Sequence, residues 1–483
     1  MKKLLFLIGI LSSGLYGASI DHIQTYSPDY LANQAQTGMI DEVSAYYNPA
    51  GLSRLDKGKY VHLGLQLANG HEKMSYKGKE HKAHLTQLIP NISLTSVDDN
   101  GAYFFTFGGL AGGGKLEYDG VSGIDVLSDL AQFQPLGVYD KGSTLTGKNL
   151  YEQATLGRAF TVNDQLSISV AGRIVHGSRR LSGTLNIGTN PSTAYKQAKV
   201  QQVTQEVSKA VDAATQGSGL SAAQIAAIKQ QKTTQALTLL QTKMNALQQN
   251  GLSGDLDSKR EAWGYGFQIG VNYKVNDKLN LAARYDSRIK MNFKAKGSEN
   301  QLQTTDILGS NIGLSTFYPQ YTINSKIRRD LPAILSVGAS YKVADNYLVS
   351  TTANYYFNHQ AKMDRVTTFG EHEHGRDYKN GWEIAVGNEY KLNDKFTLIG
   401  SLNYANTGAK TASYNDTEYA LNSFTLGGGI RYQYDESLAI TASVAHFIYQ
   451  GAEGNFKEKY GVTENQKYKK EITAVGLSVT KKF

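Results

Sequence analysis

The feature that most constrains this chain is the stretch from Lys278 to Phe293, which alternates between two kinds of surface. Leu279, Leu281, Ala283, Tyr285, Ile289, Met291 and Phe293 fall on one side, and Asn280, Arg284, Asp286, Arg288, Lys290 and Asn292 on the other. A period of two is the signature of an extended strand. A strand this long, with so many charges on its second face, is out of place in an ordinary sandwich. One face toward lipid and one toward a watery lumen accounts for both properties. The pattern recurs in Tyr347, Val349, Ala353, Tyr355 and Phe357, in Phe396, Leu398, Leu402 and Tyr404, and in Phe424, Leu426, Ile430, Tyr432 and Tyr434. No window after the first residues approaches the roughly 20 apolar residues of a spanning helix.

The turns set the strand number. Short polar turns centre on Asp98–Asn100, Asn163–Asp164, Asn276–Asp277, Asp345–Asn346, Asn393–Asp394 and Asp435–Glu436. Asn and Asp tolerate the left-handed backbone that tight hairpins use. Longer stretches near 71–84, 111–150, 183–258, 296–324, 364–376, 409–419 and 453–467 lie between them. The alternation predicts an all-β fold: a fourteen-stranded antiparallel transmembrane β-barrel, both chain ends on the short-turn side. An even strand count with short turns at one rim and long loops at the other is the rule for bacterial outer-membrane barrels. The outer membrane of a Gram-negative cell is therefore the expected location.

Met1–Gly17 reads as a signal peptide: Lys2 and Lys3, an apolar core from Leu4 to Leu11, then Gly14, Gly17 and Ala18. An uncleaved anchor is the competing reading, and the short apolar core disfavours it. The formal charge is +8, or +6 without the two leader lysines, and is interspersed. That suits solvated loops and anionic lipid headgroups, including lipopolysaccharide, and not a nucleic acid. With no cysteine, ladders and packing must supply the stability.

Between leader and first strand lies Asp41–Leu52, DEVSAYYNPAGL. Its Pro and Gly keep it out of a ladder. Residues 18–57 are expected to form a plug, or hatch, inside a barrel of residues 58–483. The longest loop, about 190–255, is helical in pattern. Val200, Val203, Val207 and Val211 recur at helical spacing, Ser221 with Gln224 forms a capping box, and Gly251 stops the second helix. Apolar Leu239, Leu240 and Met244 need cover, and Ile307, Leu308, Ile312, Leu314 and Phe317 of the next long loop offer it. The two loops either simply pack together or also leave an apolar groove between them. The run Gly108, Gly109, Leu110, Ala111, Gly112, Gly113, Gly114 reads as a flexible loop entry or as a kink that opens the wall.

Asn48-Pro49-Ala50, Trp263-Gly264-Tyr265-Gly266-Phe267, Tyr285 to Phe293 with Lys294, Leu331-Pro332 and the terminal Phe483 together resemble the FadL family. These are outer-membrane transporters of long-chain fatty acids and other hydrophobic compounds, including TodX-type aromatic hydrocarbon channels. The resemblance implies passive uptake without a cofactor, helical external loops forming a low-affinity groove, and a lateral opening at a kink in the third strand. It gives Asn48, Pro49, Ala50 and Gly51 the role of gate, and Gly108, Gly109, Gly112 and Gly113 that of the kink. By position along strands five and nine it assigns Arg179 (or Arg180) and Lys362 to the carboxylate of a fatty acid. A plugged barrel is expected to be a monomer, and Val475, Leu477, Val479 and Phe483 on one face resemble the carboxy-terminal signal read by the barrel assembly machinery, with Lys481 departing from its apolar pattern.

Long-chain fatty acids are the leading expected cargo. The alternatives are an aromatic hydrocarbon channel, or a surface adhesin or structural barrel. His372-Glu373-His374 reads as a solvated cluster and no metal site is assigned. His446, placed at the lumen rim, has no serine to serve, so no catalysis is assigned and the chain is read as no enzyme.

Overall fold

The computed structural model describes residues 27–120, 122–131, 133–296, 304–305, 311–312, 323–366, 372–374, 378–411, 414 and 419–483. The leader and residues Ile307, Leu308, Leu314 and Phe317 lie outside the described residues, and Ile312 enters only through a short strand, Asn311–Ile312.

Fourteen strands form the wall: β1 (Gly58–Tyr76), β2 (Lys79–Asp98), β3 (Gly101–Tyr118), β4 (Thr144–Thr161), β5 (Leu166–Thr189), β6 (Leu252–Lys274), β7 (Leu279–Asp286, resumed at Asn292–Lys296), β8 (Lys326–Arg328, resumed at Ile334–Ala344), β9 (Tyr347–Tyr356), β10 (Gly381–Lys391), β11 (Phe396–Asn406), β12 (Ser423–Asp435), β13 (Leu438–Tyr449) and β14 (Lys467–Lys482). Each pairs antiparallel with the next. β14 returns to β1 from Tyr60↔Lys482 to Ser75↔Lys467, which closes the sheet.

Six short turns join the strands at one rim, as the sequence predicts, but not for the expected reason. Lys77 and Asn324 are the positive-φ residues other than glycine among those described. The turns are held by side chains instead. Asn163 Oδ1 accepts from the N–H groups of Gln165 and Leu166, Asn276 Oδ1 from Lys278 and Leu279, and Asn393 Oδ1 from Lys395 and Phe396. An Asx side chain that mimics the turning backbone needs no left-handed residue. The first long loop is also corrected. Residues 71–84 are strand, because the β1–β2 ladder runs without a break to a tight turn at Lys77 (φ 48°) and Gly78 (φ 78°).

Outward side chains make a lipid belt. On β6, Trp263, Tyr265, Phe267, Ile269, Val271 and Tyr273 are all exposed on one face. Spaced ~3.3 Å per residue and tilted by roughly 40°, that row rises about 25 Å, the height of the apolar band of such barrels. The stretch from Lys278 to Phe293 does not keep a single face. Leu281 and Tyr285 point outward, whereas Ile289, Met291 and Phe293 are buried inside. The phase changes where Asp286 and Ser287 are buried in succession and β7 leaves the ladder.

The N-terminal residues lie in the interior. They form α1 (Pro28–Ala32), capped by Ser27, then α2 (Ser44–Tyr47) and a tight turn of helix at Pro49–Arg54. Their polar groups reach strands all around the ring. Asp29 accepts from Ser478 Oγ of β14, Asn33 donates to Ser350 of β9, and the Gly38 carbonyl accepts from Asn280 of β7 and Ser340 of β8. Small wall residues make room: a Cβ at Gly427 would lie 2.4 Å from Leu31 O, and one at Gly387 would lie 1.9 Å from Asn33 Oδ1.

Candidate functional site

Above the N-terminal segment is a small cavity of about 30 Å³, lined by Tyr30 and Tyr47 of that segment and by Leu110, Arg173, Arg284, Asp286, Ile334, Asn354, Tyr356 and Glu383 of the wall. Its charges are buried and mutually committed. Asp286 sits 3.2 Å from Arg173 Nη1 and 3.0 Å from Arg284 Nε, and accepts from Gln268 Nε2 at 2.8 Å. Arg173 also donates twice to Gln153 Oε1, at 2.9 and 2.6 Å. Arg284 Nη1 donates to the carbonyls of Tyr46 and Tyr47, so a wall guanidinium caps the C-terminal end of α2. Glu383 Oε1 accepts from Tyr356 OH at 2.8 Å and from Asn354 Nδ2.

A packed apolar cluster adjoins the charges, built from Tyr151, Val175, Ile289, Met291, Phe293 and Ile334 with Leu110. The Trp263–Phe267 motif explains how it forms. Its aromatic residues face out, while Gly264 and Gly266 leave room inside for the returning end of β7. A Cβ on Gly264 would lie 2.4 Å from Ile289 and Met291, and one on Gly266 would lie 2.8 Å from Ser287 Oγ. Phe267 N–H donates to Ser287 Oγ, which anchors the departure from the ladder.

The glycine run is strand, not loop entry. Against β4, β3 gains one extra residue between Gly109 and Ala111 and another between Ala111 and Gly114. Against β2 the ladder stops between Leu85↔Leu116 and Asn91↔Gly108. Residues 86–90 of β2 and 109–115 of β3 thus face each other unpaired. Gly112 (φ 104°) and Gly114 (φ 65°) take the left-handed conformations, and Gly108, Gly109 and Gly113 do not. Pro90 borders the gap and has no N–H to give a neighbour. Leu110, from the first bulge, reaches the cavity, so the interrupted wall and the charged site share a side chain.

The other expected residues are placed as follows. Asn48 Nδ2 donates to Val271 O of β6, and the Ala50 carbonyl accepts from Ser167 Oγ of β5; Pro49, Ala50 and Gly51 are fully buried. These hydrogen bonds go to β5 and β6, not to the glycine run. Arg179 and Lys362 are not brought together. Arg179 is half-buried near the Phe293 ring. Lys362 is exposed, and its backbone is tied to Asp330: its N–H donates to the Asp330 carboxylate and its carbonyl accepts from the Asp330 N–H. Arg180 is exposed outside, forked onto Asp257. His446 shares the outward face of Val444 and Ile448, so it is not at the lumen rim.

The long loop forms α3 (Thr193–Thr215) and α4 (Ala222–Asn250), with the Ser221–Gln224 capping box in place. Met244 is buried and Leu240 half-buried, but Leu239 is exposed on the far side of α4. Arg173, Arg284, Asp286 and Glu383 were missed as site residues. Arg284 and Asp286 were visible as polar alternates on one strand, but nothing in the chain's order says they meet Arg173.

A closed fourteen-stranded barrel with an apolar belt and an occupied lumen defines an integral outer-membrane β-barrel protein. The family described as outer membrane protein transport protein (OMPP1/FadL/TodX) matches residues 141–483, and the chain belongs to it. The 47 kDa outer membrane protein of Pasteurella multocida is 25% identical over 232 residues, 46% of this chain and 51% of that protein. Outer membrane protein P1 of Haemophilus influenzae is 23% identical over 294 residues, 58% of this chain and 56% of that protein. The long-chain fatty acid transport protein of Escherichia coli K12 is 20% identical over 285 residues, 58% and 60%. The chain thus spans between half and three fifths of the length of these relatives. In fold, it matches a Pseudomonas aeruginosa FadL homologue with a TM-score of 0.63 at 16% identity, covering 97% of this chain and all of that one. It matches the Pseudomonas putida toluene transporter TodX at 0.59 and 16%, covering 98% and 99%.

Proposed function

We propose that this barrel takes up hydrophobic molecules passively, with long-chain fatty acids the first cargo to test, and releases them sideways between β2 and β3. The observation that carries this reading is Leu110, a bulge residue beside the unpaired stretch of wall that also lines the cavity. Cargo enters the external loops, settles by parting the apolar cluster of Met291 and Phe293, and leaves through the interruption once the hatch gives way. The resting cavity has room for about two waters and not for a hydrocarbon cargo, so Tyr30 and Tyr47 must move.

Energetics favour a lateral exit over an axial one. Each methylene exposed to water costs about 0.8 kcal/mol. A sixteen-carbon chain would therefore lose on the order of 12 kcal/mol in an aqueous path. The periplasmic side of the plug opens onto a polar vestibule with Asp29, Glu42, Arg54, Asp56 and Arg431 on its walls. Lipid lies sideways and water lies below.

In the fatty-acid reading a carboxylate displaces Asp286 from Arg173. A second reading, an uncharged aromatic cargo, is favoured by the fact that Asp286 already engages both guanidiniums. Uptake of labelled oleate and of toluene by cells lacking their own transporters separates the two. Arg173→Met is expected to lower oleate uptake about tenfold, the loss of roughly one charge-assisted hydrogen bond, and to spare toluene. If neither cargo enters faster than in cells without the barrel, the proposal fails.

A further inference from the structure

The outer wall carries a cluster of like charges that the transport route does not use. Lys73 of β1 stands directly opposite Lys469 of β14 on one side and Lys82 of β2 on the other. All three share the outward face of Leu67, Val475 and Leu88, which are 41%, 49% and 54% exposed. Directly opposed residues hold their Cβ atoms about 4.5–5.5 Å apart, where like charges repel. Two carboxylates stand beside Lys82: Glu80, 3.2 Å from Lys73 and 3.9 Å from Lys82, and Asp119, whose Oδ1 accepts from the Lys82 backbone N–H at 2.7 Å; Glu453 is taken up by the neighbouring Lys467. Lys469 is exposed and has no carboxylate within ion-pair distance among the described residues. Glu471, next below it on β14, turns instead toward His71 and His446, at 3.8 Å from each.

We propose that Lys73, Lys82 and Lys469 bind the phosphorylated headgroup of an outer-leaflet lipid whose acyl chains lie against Leu67, Val475 and Leu88. A phosphate brings more than one negative charge and several acceptor oxygens to ammonium groups that now repel each other. The apolar wall starts a few residues below the lysines on the same three strands, which is what a lipid requires and a free anion does not. The site also has a definite place. Lys82 lies on β2 just above residues 86–90, where the wall is unpaired, so the chains of a bound lipid border that interruption.

The test uses the full-length barrel in neutral detergent, mixed with diphosphoryl lipid A, with retained lipid read by native mass spectrometry. Wild type is expected to hold lipid A in a salt-sensitive way. Each lysine near an anionic surface contributes roughly fivefold in affinity, so the Lys73→Gln, Lys82→Gln, Lys469→Gln variant is expected to retain on the order of 100-fold less. Lys274→Gln with Lys391→Gln, at the opposite rim, is expected to match wild type. If the triple variant fails to fold, Lys469→Gln alone is expected to show the fivefold loss. Equal retention of lipid A stripped of phosphate, or wild-type retention by the lysine variants, overturns the proposal. So does inorganic phosphate binding as tightly as lipid A, which would make this an anion site without a lipid.

Discussion

At the scale of single residues, Asp41 ties together the N-terminal segment inside the barrel in a way that depends on its proton. Its Oδ1 accepts from the Ser44 N–H and hydroxyl, while its own N–H donates to Ser44 Oγ, a reciprocal cap on α2. Its second oxygen is buried without a partner. Burial, opposed by Arg431 and reinforced by Glu42, Glu389 and Asp29, pushes the carboxyl up to about 7. A docked value above the ordinary 3.8 means the docked hatch favours the protonated acid. That contribution is fully present below about pH 4 and is lost as the pH rises through 7. Hydrogen exchange of residues 41–54 is expected to speed up between about pH 4 and pH 7 beyond its chemical rate, and to gain nothing further above pH 7. Asp41→Asn should flatten that rise, and an unchanged profile in the variant would remove Asp41 from the account. Asp286 is a harsher case. Asp286→Asn leaves Arg173 and Arg284 buried without their carboxylate, which is expected to cost about 3–5 kcal/mol in unfolding measurements. These residues show where sequence reading stops. Alternation put Arg284 and Asp286 on one face, but Arg173 lies more than a hundred residues earlier, and only barrel closure brings it to them. Arg179 and Lys362 were chosen by position along their strands, but Arg179 is half-buried beside Phe293 and Lys362 is exposed beyond the end of β9.

At the scale of elements, strand number, short turns and the two helices of the long loop were legible because each has a local cause: period two, Asx residues, a capping box. The bulges of β3 were half legible. Glycines marked the place, but which of them carries the kink depends on the neighbours. Gly112 does, at φ 104°, and a Cβ there would stand 2.4 Å from Asn149 O of β4. Gly112→Val is therefore expected to destabilise the barrel by about 1–3 kcal/mol and to lower cargo uptake by reshaping the interruption. Gly400→Ala is the control, since its Cβ would meet nothing closer than 3.8 Å. Equal uptake by the two variants would separate the bulge from transport. The phase change at Asp286–Ser287 was hidden because apolar residues suit both sides of this wall, lipid outside and a packed apolar cluster within.

At the scale of the whole molecule, the question is whether cargo passes a fixed plug or one that moves. The N-terminal segment is hydrogen-bonded to strands around the entire ring, so wholesale ejection would break all of those contacts together. A local shift near Asn48–Gly51 would break few. The Asn48 amide and the Ala50 carbonyl each hold one strand, and the Tyr46 and Tyr47 carbonyls hold Arg284. The chain contains no cysteine, so an introduced pair can join only to itself. A Cβ built at Gly270 lies 3.6 Å from the Ala50 Cβ, inside the range of disulfides. The atoms it meets first are Asn48 Oδ1 and Ser169 Oγ, so the Asn48 amide gives up its bond to Val271 O and the cross-link replaces it as the tie to β6. Ala50→Cys with Gly270→Cys should therefore cross-link on oxidation and pin the segment to β6. If cargo needs the local shift, uptake falls toward that of cells without the barrel when the pair is oxidised, and recovers on reduction. Each single-cysteine variant should be indifferent to oxidant. Full uptake through the cross-linked barrel would mean that cargo passes Tyr30 and Tyr47 by side-chain motion alone, with Asn48–Gly51 a fixed floor and not a gate.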